Sequence, residues 1–327
     1  MGFRLSERVL LTGGTGFVGS HVCDELARRA IPYTAFSRSE YDLTRENDAD
    51  AAFKDHARAT LVLHLASFQA AGDFPARFPA DQFHTNHLIH LNVLRAWKAH
   101  LPAARLVALG SSCAYPATAT RLVEDRLLDG ALHGSVSSYA ATKRALVIGI
   151  EAYNVQYGLD GSCLIPPTLF GEGDDFHPET AHVVGALIGR VVRAAREGAP
   201  SVEVWGDGTQ VREFLYVGDF VAALLDLVGR CRRDVLNVGP GQGTSIRQLA
   251  ETIREVVGYR GSLSFNAGRY TGIREKVLDT TKLRGQYGMT LSPDLRPGIE
   301  RTVAWYQENY ERLKDRRKFQ ERESASV

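Results

Sequence analysis

A glycine-rich turn follows the first apolar run of the chain, and a helical pattern begins directly after it. The turn, from Thr12 to Gly19, reads TGGTGFVG and satisfies both GxGxxG and GxxGxxG. Glycines permit a tight turn and close approach of the backbone to a pyrophosphate, and the start of a helix offers unpaired N–H groups to that anion. The pattern predicts a dinucleotide site. The predicted cofactor-binding residues are Gly13, Gly14, Thr15, Gly16, Phe17, Val18 and Gly19.

Short apolar runs alternate with amphipathic stretches from Val9 to Pro166. Near-continuous apolar strands separated by helices indicate a parallel sheet covered on both faces, so we predict an α/β fold with a doubly wound Rossmann sheet. We expect residues 1–167 to form this cofactor-binding domain. Residues 168–313 are richer in loops and predict a smaller C-terminal substrate-binding domain, some segments of which can rejoin the sheet. Residues 314–327 mix charges with Ser and Ala and predict a flexible tail.

The charge balance, the apolar stretches and the cysteines of the chain argue against several classes of function. The 327 residues contain 39 Lys and Arg against 38 Asp and Glu, a net charge of +1, so we expect no nucleic-acid partner. The longest stretch without a charged residue, 106–120, is shorter than the ~20 residues of a membrane helix. We expect no membrane association, no secretion signal and a cytoplasmic location. The cysteines, which are scattered, predict free thiols; they are Cys23, Cys113, Cys163 and Cys231.

The end of the second predicted strand bears on the choice of cofactor. An acidic residue there would bind the ribose 2′-hydroxyl of NAD, whereas this chain has Arg38, about 20 residues beyond the glycines. Arg38 therefore favours NADP, with a solvated loop arginine beside Glu40 as the alternative.

Tyr139 and Lys143 are spaced to lie on one face of a helix. We expect the lysine to lower the pKa of the tyrosine, and Ser111, at the end of a predicted strand, to complete a hydrogen-bonding set around a substrate oxygen. Together with the glycine turn and Asn86, these residues resemble the pattern of the extended short-chain dehydrogenases/reductases. Ser111, Tyr139 and Lys143 are thus predicted catalytic residues, and Tyr139 and Lys143 also predicted cofactor contacts.

Longer motifs make the resemblance more specific. They are GSSCAYP at Gly110–Pro116, YAATK at Tyr139–Lys143, DDFHP at Asp174–Pro178, AHV at Ala181–Val183, VWGDGT at Val204–Thr209, REFL at Arg212–Leu215 and NVG at Asn237–Gly239. With them the chain resembles the GDP-L-fucose synthase family from about Val9 to Tyr310. That family comprises NADPH-dependent 3,5-epimerases and 4-reductases of GDP-4-keto-6-deoxy-mannose.

The resemblance implies roles by position. Cys113 and His182 become the catalytic pair that epimerises the carbons beside the ketone, and Tyr139 the acid for C4 reduction. The resemblance also implies NADP(H) as cofactor, a GDP-linked sugar as substrate, and a homodimer formed by the Tyr139 helix and the one before it. It implies further cofactor contacts at Leu65, Ala66, Pro166 and His182. It implies substrate contacts at Ser112, Cys113, Thr168 and Arg190, and substrate contacts at the nucleotide and its diphosphate by Trp205, Arg212 and Lys276.

Two departures from the family leave the sugar open. Thr168 stands where the family has an Asn near the sugar, and residues 67–72 read SFQAAG in place of a valine-glycine-glycine segment. A nucleotide-sugar 4-epimerase, with a heptose as one substrate, is therefore the alternative enzyme. A dinucleotide-binding scaffold without turnover is the alternative from another class.

Three histidines recur at every third residue in one predicted helix: His84, His87 and His90. A zinc site asks for further ligands, and no Cys or carboxylate partner is evident, so we expect a helix-face role and no metal.

Overall fold

The computed structural model describes residues 8–69, 74–178, 180–269 and 273–314. Its strands are β1 (Val9–Thr12), β2 (Tyr33–Phe36), β3 (Leu61–His64), β4 (Arg105–Leu109), β5 (Gly161–Ile165), β6 (Thr168–Phe170), β7 (Ser201–Trp205), β8 (Val211–Arg212), β9 (Phe214–Tyr216), β10 (Val235–Asn237), β11 (Thr244–Ser245), β12 (Ser262–Asn266) and β13 (Glu275–Lys276). Its helices are α1 (Phe17–Arg28), α2 (Glu46–Asp55), α3 (Phe74–Arg77), α4 (Pro79–His100), α5 (Ser137–Tyr157), α6 (Val183–Glu197), α7 (Val217–Leu227), α8 (Ile246–Val257), α9 (Thr281–Tyr287), α10 (Arg296–Glu308) and α11 (Tyr310–Leu313).

Six parallel strands form the central sheet in the order β2-β1-β3-β4-β5-β10. Helices α2, α4 and α5 cover one face, where Phe53 and Trp97 are fully buried. Helices α1, α7 and α9 cover the other, around Phe220 and Leu283. Both faces of the sheet are therefore buried, which explains why its strands are apolar on both sides. The predicted doubly wound α/β fold is confirmed.

Strand β1 lies between β2 and β3, so the strand order reverses at this point. In open α/β sheets ligands bind in the crevice at the carboxyl ends of the strands where the order reverses. The glycine turn leaves β1 at this point and leads into α1. The topology therefore opens a crevice at the predicted dinucleotide site.

A second core lies around α6, α8 and α10, with Phe214 and Tyr306 among its buried residues. Small sheets border it: β6 with β9, β7 with β12, and β8 between β11 and β13. Strand β10 instead joins the central sheet through β5. The chain thus passes between the two cores more than once after residue 167, and the division at that residue stays a prediction.

Helix α8 shows how local sequence sets an element boundary. Its N-cap, Ser245, accepts from the Gln248 N–H while the Gln248 side chain accepts from the Ser245 N–H, which is a capping box. Gly258 ends the helix with φ +71°. Local sequence therefore sets both ends of this helix.

All four cysteines are free thiols, as predicted. Within the described ranges, none of the helices has the length and apolar character that a membrane span requires. The predicted tail lies outside the described residues apart from Lys314.

Candidate active site

The glycine turn is shaped by close backbone contacts. A Cβ on Gly19 would lie 2.0 Å from the Gly13 carbonyl oxygen. Only glycine at position 19 therefore allows α1 to lie this close to the turn. Gly13 has φ +76°, and a Cβ there would lie 2.6 Å from the Ala66 nitrogen. The Leu65 N–H donates to the Thr12 carbonyl at 3.2 Å. Leu65 and Ala66 therefore lie directly against the turn.

The start of α1 suits an anion. Its N-cap is Gly16, no side chain caps the helix, and its first turn contains no acidic residue. The first N–H groups and the positive end of the helix dipole therefore face the crevice without a competing carboxylate. Thr15, Phe17 and Val18 lie at this helix start. The turn fits the pyrophosphate of a dinucleotide.

Arg38 follows β2 and is exposed, with its guanidinium 3.3 Å from the Asp42 carboxylate. The Glu40 carboxylate accepts from both the backbone N–H and the hydroxyl of Ser37, each at 2.8 Å. Glu40 is thus engaged in holding the loop, and Arg38 is an exposed cation at the end of β2.

Tyr139 and Lys143 lie on the buried face of α5, as their spacing predicts. The Lys143 Nζ donates to the Leu109 carbonyl at 3.0 Å and lies 5.8 Å from the centre of the Tyr139 ring. Burial lowers the pKa of Lys143 to about 8. Ser111 follows β4, and its hydroxyl accepts from the Cys113 N–H at 3.2 Å. Four residues thus lie together beside the end of β4: Ser111, Cys113, Tyr139 and Lys143.

The ionisation of Tyr139 differs from the prediction. Burial raises the pKa of its phenol, the nearby Cys113 adds to that rise, and hydrogen bonds with Ser67 and Ser111 only oppose it. The expectation of a lowered pKa is therefore wrong, because desolvation by burial is the largest effect on this phenol. A phenol that keeps its proton at neutral pH can serve as an acid.

Cys113 has a partner from a remote part of the sequence. The Lys276 Nζ on β13 lies 3.2 Å from the Cys113 Sγ. Burial alone would raise the pKa of this thiol, but Lys276, Ser111 and Arg212 together lower it. By contrast, burial raises the pKa of Cys23, Cys163 and Cys231. Cys113 is thus the thiol that its surroundings favour as a thiolate.

His182 is the N-cap residue of α6. Its Nε2 lies 3.1 Å from the Gln69 side-chain nitrogen, which donates to it. Gln69 belongs to the loop that departs from the resembled family, so one departure lies directly against the candidate acid. Residues 70–72 of the same loop lie outside the described residues.

Trp205 is 36% exposed, between two arginines: Arg190 lies 4.6 Å and Arg269 5.3 Å from its ring. Arg190 also donates to the Pro178 carbonyl at 2.8 Å. Trp205 is therefore an accessible residue and not part of a buried core.

The remaining predicted site residues lie in or directly beside short elements of secondary structure. Arg212 donates to the carbonyl of Val211 at 2.8 Å, and Thr168 begins β6. Ser112 is buried in the short 3-10 helix that also contains Cys113, and Pro166 follows β5 in a buried position.

Several polar contacts were not predicted. His64 lies 2.8 Å from the Thr12 hydroxyl and 2.9 Å from His90, and burial lowers the pKa of His64 to about 3. His90 therefore faces the sheet, whereas His84 is exposed, so the three-residue repeat does not gather one cluster. No group of three or more potential metal ligands occurs in the described part of the chain.

Asn86 accepts hydrogen bonds from the Ser67 hydroxyl and the Phe68 N–H and so holds the loop after β3.

The parallel sheet, the glycine turn and the Ser111, Tyr139 and Lys143 set are the arrangement of an extended short-chain dehydrogenase/reductase. The family model described as "NAD dependent epimerase/dehydratase family" matches residues 9–239, and the chain belongs to this family.

Two curated relatives are similar over nearly the full length. GDP-L-fucose synthase 1 of Arabidopsis thaliana is 35% identical over 309 residues, which cover 93% of this chain and 94% of the relative. GDP-L-fucose synthase of Escherichia coli (strain K12) is 35% identical over 323 residues, covering 94% and 99%. A crystal structure of a GDP-L-fucose synthetase from Naegleria fowleri bound to NADP superposes with a TM-score of 0.85 at 25% identity, covering 96% of this chain and 98% of that one.

Proposed function

We propose that this protein is an NADPH-dependent nucleotide-sugar epimerase/reductase that epimerises C3 and C5 and reduces C4 of a GDP-4-keto-6-deoxy-mannose-like substrate. The observation that carries the proposal is the Cys113–Lys276 contact of 3.2 Å near Tyr139. A thiol favoured as thiolate can remove a proton beside a ketone, and a protonated phenol can act on the ketone oxygen. The names of the curated relatives support the GDP-linked substrate.

In the proposed reaction Tyr139 hydrogen-bonds the C4 oxygen, with Ser111 beside it. This stabilises the enolate that forms when Cys113 removes a proton from a carbon next to C4. His182 returns a proton on the opposite face of the ring. Tyr139 finally gives its proton to the C4 oxygen, and the positive charge of Lys143 stabilises the phenolate left behind.

When bound, NADPH would supply the hydride for this reduction. Gly13, Gly14, Gly16 and Gly19 would hold its pyrophosphate, and Leu65, Ala66, Pro166 and His182 would border it. The fit rests on the turn, where added Cβ atoms would collide, and on the uncapped start of α1. The NADP in the Naegleria fowleri structure supports this choice.

We expect Arg38→Ala to weaken NADPH binding roughly 10- to 100-fold, because it removes charge-assisted hydrogen bonds to the 2′-phosphate worth about 1.5–3 kcal/mol each. NADH affinity should not change. Fluorescence titration with both cofactors measures the two dissociation constants. Arg28→Ala is the matched control, since Arg28 is also an exposed arginine paired one helical turn away. Equal losses for NADPH and NADH would contradict the role of Arg38.

On the substrate side, Trp205 offers an accessible ring to a nucleotide base, and Arg190 and Arg212 supply positive charge for the diphosphate. Ser112 and Thr168 are the proposed contacts to the sugar. Lys276, expected at the diphosphate, instead contacts Cys113 in this structure. We therefore propose that Lys276 acts on the thiol as well as on the substrate.

The 4-epimerase alternative is less well supported. That reaction starts with removal of a proton from a C4 hydroxyl, which a phenol of raised pKa does poorly. It also has no use for the Cys113–Lys276 pair.

Mixing the protein with GDP-4-keto-6-deoxy-mannose and NADPH in deuterated water tests the function. Stoichiometric loss of absorbance at 340 nm with deuterium at C3 and C5 is the expected result. No reaction would overturn the substrate, and interconversion at C4 of another nucleotide sugar without reductant would establish the epimerase alternative.

We also propose a homodimer through α4 and α5, which pack side by side. Phe83 and Leu91 on α4 and Ile148 and Val155 on α5 are exposed, Val155 by 81%. An apolar patch of this kind is typical of a protein interface. We expect a sedimentation mass of twice the 35.9 kDa of one chain, which falls to one chain in Val155→Asp. The control Ser264→Asp, an exposed site on β12, should keep the dimer; a monomeric wild type would contradict the proposal.

The cytoplasm is the proposed location. Its support is the four free thiols, which are typical of a reducing compartment.

A further inference from the structure

We propose that Glu213 is a positioning residue that holds β13 so that Lys276 reaches Cys113, and that it favours the thiolate of Cys113 through this lysine. The inference rests on the proposed function of the Cys113–Lys276 pair and assigns a role to the REFL and NVG motifs. Glu213 is 2% exposed, lies between β8 and β9, and touches neither substrate nor cofactor in the proposed reaction.

Glu213 binds the backbone of β13 on both sides of Val277. Its own N–H donates to the Lys276 carbonyl at 3.2 Å. Its carboxylate Oε2 accepts from the Leu278 N–H at 2.6 Å. One residue therefore fixes the chain on both sides of Val277, directly after the point where the Lys276 side chain leaves the strand.

The other carboxylate oxygen holds the loop after β10. Glu213 Oε1 accepts from the Gly241 N–H at 2.7 Å. A Cβ on Gly239 would lie 2.4 Å from the same oxygen, so glycine is required there for the carboxylate to occupy its position. The two motifs thus meet at one buried carboxylate.

Asn237, the last residue of β10, links the chain after β13 to the segment that contains Cys113. Its side-chain nitrogen donates to the carbonyls of Leu122 and Asp279, at 2.7 and 3.0 Å, and its Oδ1 accepts from the Tyr115 hydroxyl at 2.7 Å. Tyr115 is two residues from Cys113. The thiol and the lysine are therefore positioned from both sides by buried hydrogen bonds.

A carboxylate here is costly for folding, because burial raises the pKa of Glu213 to about 7. An apolar side chain would avoid that cost but would leave the N–H groups of Leu278 and Gly241 without their acceptor. The structure thus retains a buried carboxyl group whose side-chain hydrogen bonds all hold the chain after β13 and the loop after β10.

The thiolate absorbance of Cys113 at 240 nm, measured against pH with the Cys113→Ser protein subtracted, tests the proposal. We expect Lys276→Met to raise the thiol pKa by about one unit or more, since it removes an adjacent opposite charge. Glu213→Gln should raise it by roughly half as much, because the amide can accept from only one of the two N–H groups. In the double variant Glu213→Gln should add nothing.

The sign of the thiol pKa shift distinguishes a positioning role of Glu213 from a direct electrostatic effect of its charge on the thiol. Removing a negative charge near a thiol lowers the thiol pKa, whereas misplacing Lys276 raises it. An unchanged or lowered pKa in Glu213→Gln would overturn the proposal, and so would a rise that persists in the Lys276→Met background.

Gly239→Ala provides a second variant if Glu213→Gln does not fold. Its Cβ displaces the carboxylate without changing any charge, and it should shift the thiol pKa upward as well. The measurement needs no turnover. The expected shifts in a protein without epimerase activity would therefore refute the proposed function alone, whereas a Lys276→Met protein with an unshifted thiol would refute the positioning role alone.

Discussion

Replacing Tyr139 with Phe is expected to lower kcat for NADPH oxidation with the 4-keto sugar by roughly 10³-fold. The phenol is the group that gives a proton to the C4 oxygen, and burial keeps that proton in place at neutral pH. Phe retains the ring and its packing in α5 but has no hydroxyl. The dissociation constant of NADPH should therefore change little. Stopped-flow absorbance at 340 nm and fluorescence titration measure the two quantities.

Tyr153→Phe is the matched control for this substitution. It makes the same change on the same helix, about four turns further along, where the ring packs against Tyr157. The control should keep wild-type kcat. If Tyr139→Phe also kept it, the phenol would not be the acid. If the wild-type protein bound NADPH but turned over no nucleotide sugar, a scaffold without catalysis would be the better interpretation.

The features that sequence predicted well are local ones. The glycine turn, the strand before it and the helix after it depend on neighbouring residues, so the pattern at 12–19 located them. The spacing of Tyr139 and Lys143 likewise placed both side chains on one buried face of α5. Short-range periodicity and turn chemistry determine such features, and both can be seen in the sequence.

Contacts between distant segments could not be predicted in this way. Lys276 is 163 residues from Cys113, and the resemblance placed it at the diphosphate. Gln69 is 113 residues from His182 and lies in a loop with no secondary-structure pattern. The pKa of Tyr139 is raised, not lowered as predicted, for a related reason. Spacing identified the lysine beside it, but the burial that dominates depends on the whole fold.

Cys113→Ser is expected to slow deuterium incorporation beside the ketone by roughly 10²- to 10⁴-fold, the contribution typical of a positioned general base. A serine hydroxyl is close to the thiol in size, but it does not ionise near neutral pH even beside Lys276. Any NADPH oxidation that persists should give a C4 alcohol with the original configuration at the slowed carbon. NMR of the product in deuterated water measures both results.

The pH dependence of this exchange has a defined sign. Because Lys276, Ser111 and Arg212 lower the pKa of Cys113 despite its burial, exchange in the wild type should rise with pH through a midpoint below the ordinary thiol value. In Cys113→Ser that rise should disappear. Cys23→Ser is the control, since it removes the other half-buried thiol. A Cys113→Ser protein that still exchanged deuterium at both carbons at the wild-type rate would show that another group is the base, and Cys113 would then be a substrate contact only.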